Sequence, residues 1–108
     1  MDFNAYQNAA RKTALYADAY RVTYPALGLA SEAGEVAGKV KKVLRDRAGD
    51  FSEDQIIAIK DELGDVLWYV AVLAADLGLD MGTIAAGNIE KLRSRQERGA
   101  LRGNGDRR

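Results

Sequence analysis

Paired carboxylates set beside apolar helical seams constrain this chain more than any other feature. Leu29, Ala33, Val36, Val40 and Val43 recur at intervals of four and three, and so do Ile56, Ile59, Leu63, Val66, Val70, Leu73 and Leu77. That spacing gives one continuous apolar face on each of two helices. One position before the seam residues stand Glu32 and Glu35 on the first stretch, and Glu62 and Asp65 on the second. Residues three apart share a helix face, and one residue is a rotation of about 100°. Each acidic pair therefore lies at the edge of a buried stripe. Antiparallel packing through the two seams brings all four carboxylates toward one another.

The rest of the chain reads as helix too. Asp2 is placed to cap a first helix over residues 3–21, with Tyr6, Ala10, Thr13, Tyr16 and Tyr20 at helical spacing. Pro25, the single proline, suits the first turn of the helix that carries Glu32, which then runs to about residue 45. Residues 45–50 form a polar connection containing Gly49. Ser52 and Gln55 make a capping box for the third helix, which stops at Gly78. Asp80 caps a fourth, with Ile84, Ile89 and Leu92 apolar, ending near Gly99. No segment alternates with the period of a strand. The expectation is an all-α, four-helix bundle-like domain over residues 1–99, followed by a flexible basic tail at 100–108. Aliphatic seams on helices this short exceed what one small chain covers, which predicts at least a dimer.

Composition narrows the chemistry. The 108 residues are 47% hydrophobic and 30% charged with a formal net charge of +0, an ordinary globular balance with no global attraction to nucleic acid or membrane. Without cysteine there is no thiolate or disulfide chemistry; without histidine the usual general base and most zinc sites are gone. The start, Met1-Asp-Phe-Asn, has no basic or apolar leader character. The longest apolar run, residues 66–75, has about ten residues against the roughly 20 that span a bilayer. A cytoplasmic protein is expected.

Four carboxylates at a core edge repel one another unless a multivalent cation joins them, and an all-oxygen ligand set selects magnesium, with manganese able to replace it. The competing reading of either pair alone is a solvated helix face, with Glu35 paired to Lys39 one turn on. Gly34 and Gly64 lie between the members of each pair. Mid-helix glycine is unfavourable by about 1 kcal/mol against alanine, so close approach of a backbone or ligand is expected there. On the fourth helix Asn88, Lys91 and Arg95 step by three and four, a face suited to phosphate oxygens, while a solvated basic helix end is the alternative for Arg95. Tyr69, four after Asp65, extends the acidic stripe toward a nucleobase; Trp68 is read as core or interface.

At these residues the chain resembles the MazG-like nucleotide pyrophosphohydrolases of the all-α NTP pyrophosphatase group. The resemblance is carried by Gly28-Leu-Ala-Ser-Glu-Ala-Gly-Glu-Val36, Asp61-Glu-Leu-Gly-Asp-Val-Leu-Trp-Tyr69 and Asn88-Ile-Glu-Lys-Leu-Arg-Ser-Arg95. It implies magnesium-dependent hydrolysis between the α- and β-phosphates of a nucleoside triphosphate, releasing the monophosphate and pyrophosphate. It also implies Glu32, Glu35, Glu62 and Asp65 as metal ligands, and Asn88 and Lys91 as substrate-holding residues, joined in our reading by Arg95, Tyr69 and Lys39. Dimers or tetramers with shared pockets are a further implication. The first Glu of the family signature is Ser31 here. Its role passes to Glu32 or Glu35, of which we take Glu35 as the catalytic base, or fewer ions bind. The alternative from another class is a non-catalytic helical module that binds nucleotide or a partner protein. Nucleic-acid binding through the basic C-terminal residues is disfavoured by the neutral net charge.

Overall fold

The computed structural model describes residues 1–99, and every regular element among them is helical. The elements are α1 (Phe3–Arg11), a 3₁₀ turn (Asp18–Tyr20), α2 (Thr23–Arg47), α3 (Glu53–Asp76) and α4 (Met81–Glu97). The tail read at residues 100–108 lies outside the described residues.

Three of the four starts follow from local chemistry. Asp2 accepts from the Ala5 amide at 2.7 Å, and Asp80 accepts from the Thr83 amide at 2.7 Å. Ser52 and Gln55 form the reciprocal capping box, with Ser52 N–H donating to Gln55 Oε1 at 2.9 Å; caps of this kind contribute about 1 kcal/mol each. Helix α3 ends in a Schellman motif about Gly78 (φ 74°), where Gly78 N–H donates to Ala75 O at 3.0 Å and Leu79 N–H to Ala74 O at 2.8 Å.

The first helix is shorter than its spacing predicts. It stops at Arg11 rather than near residue 21. Thr13 Oγ1 donates to the Ala10 carbonyl at 2.7 Å and accepts from Trp68 Nε1 at 2.7 Å. A side chain thus occupies a helix carbonyl and ties the chain to α3. The segment that follows turns so that the Tyr16 hydroxyl reaches Asp76, donating at 2.6 Å. Tertiary contacts override helix propensity there.

The start of α2 has no side-chain cap. Its N-cap is Val22 at φ 67°, a conformation that a β-branched residue rarely adopts. The Asp76 carboxylate, at the end of α3, holds it by accepting the Val22 amide at 2.9 Å. The pairs Lys39–Glu62, Gly28–Tyr69 and Val22–Asp76 run in opposite order along α2 and α3, so the two helices are antiparallel. This hairpin is the most extensive helix contact in the molecule, and α1 lies across α3.

Helix α4 departs from a closed bundle. Its axis turns 105° from that of α3, and it packs chiefly against α1. Gln7 of α1 organises the turn: its Nε2 donates to Ala71 O and Leu79 O at 3.0 Å each, and its Oε1 accepts from Met81 N at 3.2 Å. Asn4 Oδ1 accepts the next amide, Gly82 N, at 2.8 Å. The buried core is centred here, on Ala10, Ala71, Val72 and Met81 with Tyr6, Tyr16, Leu67 and Trp68 packed against it. Trp68 therefore belongs to the packing, as its apolar surroundings predict.

The seams are only partly covered. Leu63, in the middle of α3, is 54% exposed, and Ile56, Leu77, Ile84, Ile89 and Leu92 are exposed as well. Among the described residues, no helix is by itself long and apolar enough to cross a membrane.

Candidate metal and nucleotide site

The acidic residues of α2 and α3 meet across the antiparallel hairpin. Carboxylate oxygens of Glu32, Glu62 and Asp65 all lie within 4.8 Å of one another. Glu32 and Glu62 are half-buried and Asp65 is exposed, so the cluster is sunk in the hairpin on one side and open on the other. The predicted convergence of four carboxylates is thus a convergence of three. Glu35, one turn further along α2, is exposed and lies outside that group, although its charge still acts on Glu32.

The electrostatics are those of crowded like charges. The Glu32 carboxyl is pushed above its usual range, first by its hydrogen bond with the Glu62 carboxyl, then by burial and by the charges of Glu62, Asp65 and Glu35. Carboxylates this close relieve their repulsion by holding a proton or a cation. One cation is supplied by the chain. Lys39 Nζ lies 3.5 Å from Glu62 Oε1, with side chains 34% and 18% exposed respectively. The Lys39–Glu35 pair of the competing solvated-face reading is replaced by one across the hairpin, since seven residues separate Lys39 from Glu32 and two helical turns restore the same face. The donor set fits a hard divalent ion: oxygen only, from two rigid helices, carrying excess negative charge.

Beside the carboxylates lies a row of aromatic rings. Tyr69 sits one turn from Asp65, and its phenol is pushed above the usual range by its hydrogen bond with Tyr24, by burial, and by the charges of Tyr24, Glu32 and Asp65. Tyr24 lies 6.2 Å from Tyr69, centroid to centroid, and stacks on Tyr16 at 5.0 Å. The phenol of Tyr6, on α1, is pushed up by burial and by the charge of Asp65. Neither Tyr24 nor Tyr6 is singled out by the acidic motifs. Tyr24 is linked to the site through the Tyr69 ring, and Gly28 makes room for that ring: a Cβ there would overlap it. Gly28 is therefore the glycine that admits a close approach. Gly34 and Gly64, expected to do so, face open space.

The three fourth-helix residues have different surroundings. Asn88 borders an apolar recess with Phe3, Leu67, Val70, Met81 and Ile84. Lys91 is exposed and makes no ion pair with the described residues, whereas Arg95 is buried at 6% exposure. The face that these three share by spacing is split by the packing, so Arg95 does not present its charge to solvent beside Lys91.

Comparison with known proteins is consistent with this geometry. The sequence model of a family described as MazG nucleotide pyrophosphohydrolase domain matches residues 24–99, which takes in α2, α3 and α4. The Gene 37 protein of Mycobacterium phage L5 is similar over the full length of both chains, with 43% identity over 114 residues; its name states no activity. No solved structure matches the chain.

Proposed function

The chain belongs to the MazG nucleotide pyrophosphohydrolase family, and from that premise we propose that it hydrolyses the α–β phosphoanhydride of nucleoside triphosphates, giving the monophosphate and pyrophosphate. The observation that carries the reading is the meeting of Glu32, Glu62 and Asp65 within 4.8 Å across two helices of the matched region.

In this reading Glu32, Glu62 and Asp65 hold magnesium, with manganese as a substitute. When bound, the ion neutralises charge on the phosphates and lowers the pKa of water. Because the chain has no histidine, a carboxylate takes the proton from the attacking water. Glu35 is the candidate: it stands one turn from Glu32 and is exposed. Lys39 donates to phosphate oxygens, and Tyr69 lies alongside the nucleoside. Asn88 and Lys91 reach substrate from the fourth helix, with the buried Arg95 supporting that helix. The exposed Leu63, Ile56 and Ile89 support assembly into a homodimer or tetramer. Residues 1–99 form the catalytic domain in this scheme, and the protein works in the cytoplasm.

Incubation with standard and deoxy-nucleoside triphosphates, with and without Mg²⁺, tests the proposal. Pyrophosphate release that needs the metal and falls about a thousandfold in Glu62→Gln is the expected result. Tight nucleotide binding without turnover under any divalent metal would instead identify a non-catalytic binding module.

A further inference from the structure

Among the described residues, Lys39 is the basic group that makes an ion pair with the carboxylate cluster. Its ammonium lies 3.5 Å from an oxygen of Glu62, whose carboxylate gathers with those of Glu32 and Asp65 within 4.8 Å. An ammonium and a divalent cation draw on the same carboxylate lone pairs, so the two compete for that oxygen. The Lys39 stem is flexible, its side chain is about one-third exposed, and its attachment on α2 lies two turns from Glu32. Released from Glu62, the ammonium remains within reach of whatever anion borders the cluster.

We propose that Lys39 is an exchangeable counter-ion: it neutralises Glu62 while the carboxylates hold no metal, and it moves to a phosphate oxygen of the nucleotide when a divalent cation takes its place. The inference rests on the reading of Glu32, Glu62 and Asp65 as metal ligands. It distinguishes Lys39 from a fixed phosphate ligand, which would leave metal affinity unchanged, and from a prop that orients Glu62, whose removal would weaken the metal. Between turnovers the exchange spares the cluster uncompensated charge. On substrate entry it delivers a cation to a second charged group without any new residue moving in.

Two affinities with opposite signs test the exchange. Binding of Mn²⁺ alone, followed by electron paramagnetic resonance, is expected to be about threefold to tenfold tighter in Lys39→Met than in wild type, the effect of deleting a partly exposed competing ion pair. In saturating Mg²⁺, an α,β-methylene nucleoside triphosphate is expected to bind about tenfold more weakly to the same variant. Lys39→Arg keeps the charge and should hold Mn²⁺ affinity near the wild-type value. Unchanged melting temperatures accompany both variants, because Lys39 is not in the core. Mn²⁺ binding that is unchanged or weaker in Lys39→Met overturns the exchange, as does analogue binding that does not change. Those failures are separable from failure of the metal site itself. If wild type binds Mn²⁺ and Glu62→Gln does not, the site stands whatever Lys39 does; if wild type binds none, site and exchange fall together.

Discussion

The end and the middle of the α2–α3 hairpin treat their polar groups in opposite ways. Where α1, the end of α3 and the start of α4 meet, every polar demand is answered: Gln7 makes three hydrogen bonds to backbone, and Asp76 takes Tyr16, the Val22 amide and Arg21. Further along, at Glu32, Glu62 and Asp65, like charges crowd together, with one lysine among the described residues paired against them. Glycines 34 and 64 face open space there, and Leu63 is exposed. The end is satisfied and closed; the middle is under-compensated and open. Buried polar groups without partners are costly, so networks that only hold a fold are completed internally. A region left incomplete within one chain is where something from outside completes it.

The contrast can be broken from the closed end. Gln7→Leu leaves two carbonyls and the Met81 amide without their side-chain partner. The expected loss is about 3 kcal/mol, seen as a melting temperature lower by roughly 15 °C. Mn²⁺ affinity measured well below the transition should not change. A variant that lost metal binding in step with stability would show that the two regions are one unit.

A smaller effect is expected where the regions touch. Gly28→Ala drives a methyl group into the Tyr69 ring, which must swing away from α2. Overpacking of this sort costs about 1–3 kcal/mol. Trp68, the one tryptophan, stands edge-on to Tyr69 at 5.0 Å, so its fluorescence reports the displacement. An unchanged emission spectrum would mean that the ring does not move.

The smallest effect is a pH dependence carried by the closed end. The Tyr16 phenol is pushed up to about 12 by burial, by its hydrogen bond to Asp76 and by that carboxylate's charge, with Arg21 opposing. A folded-state pKa above the unfolded value means that the contribution is complete below about pH 10 and is lost as pH rises toward 12. Burial tends to raise the Asp76 carboxyl, but the Tyr16, Val22 and Arg21 interactions outweigh it and hold the group below its usual range, so it stays ionised throughout that window. Unfolding free energies of wild type and Tyr16→Phe from urea titrations should differ by of order 1 kcal/mol at pH 9 and converge by pH 12. A gap that persists at high pH would remove the hydrogen bond as its source.

Much of the architecture was legible because local chemistry dictates it. The Ser52/Gln55 box, the Asp2 and Asp80 caps and Gly78 mark helix ends whose hydrogen bonds close within a few residues. The acidic pairs were legible because their spacing, and no distant contact, puts Glu62 and Asp65 on one face. The end of α1 was not. Thr13 looks like a helix residue until Trp68, far along the chain, donates to its hydroxyl. Tyr24 and Gly28 were equally hidden, since their meaning depends on where the Tyr69 ring lands.

The amino-acid order alone thus determined an all-helical chain and the faces on which its carboxylates stand, because periodicity and capping act over a turn or two. Only the tertiary structure decided that three of those carboxylates meet while Glu35 stands off, that Lys39 crosses to Glu62, that Arg95 is buried, and that α4 swings 105° from α3. Each of those outcomes depends on the offset between packed helices, where a shift of a single residue turns a side chain through about 100° and changes its neighbours.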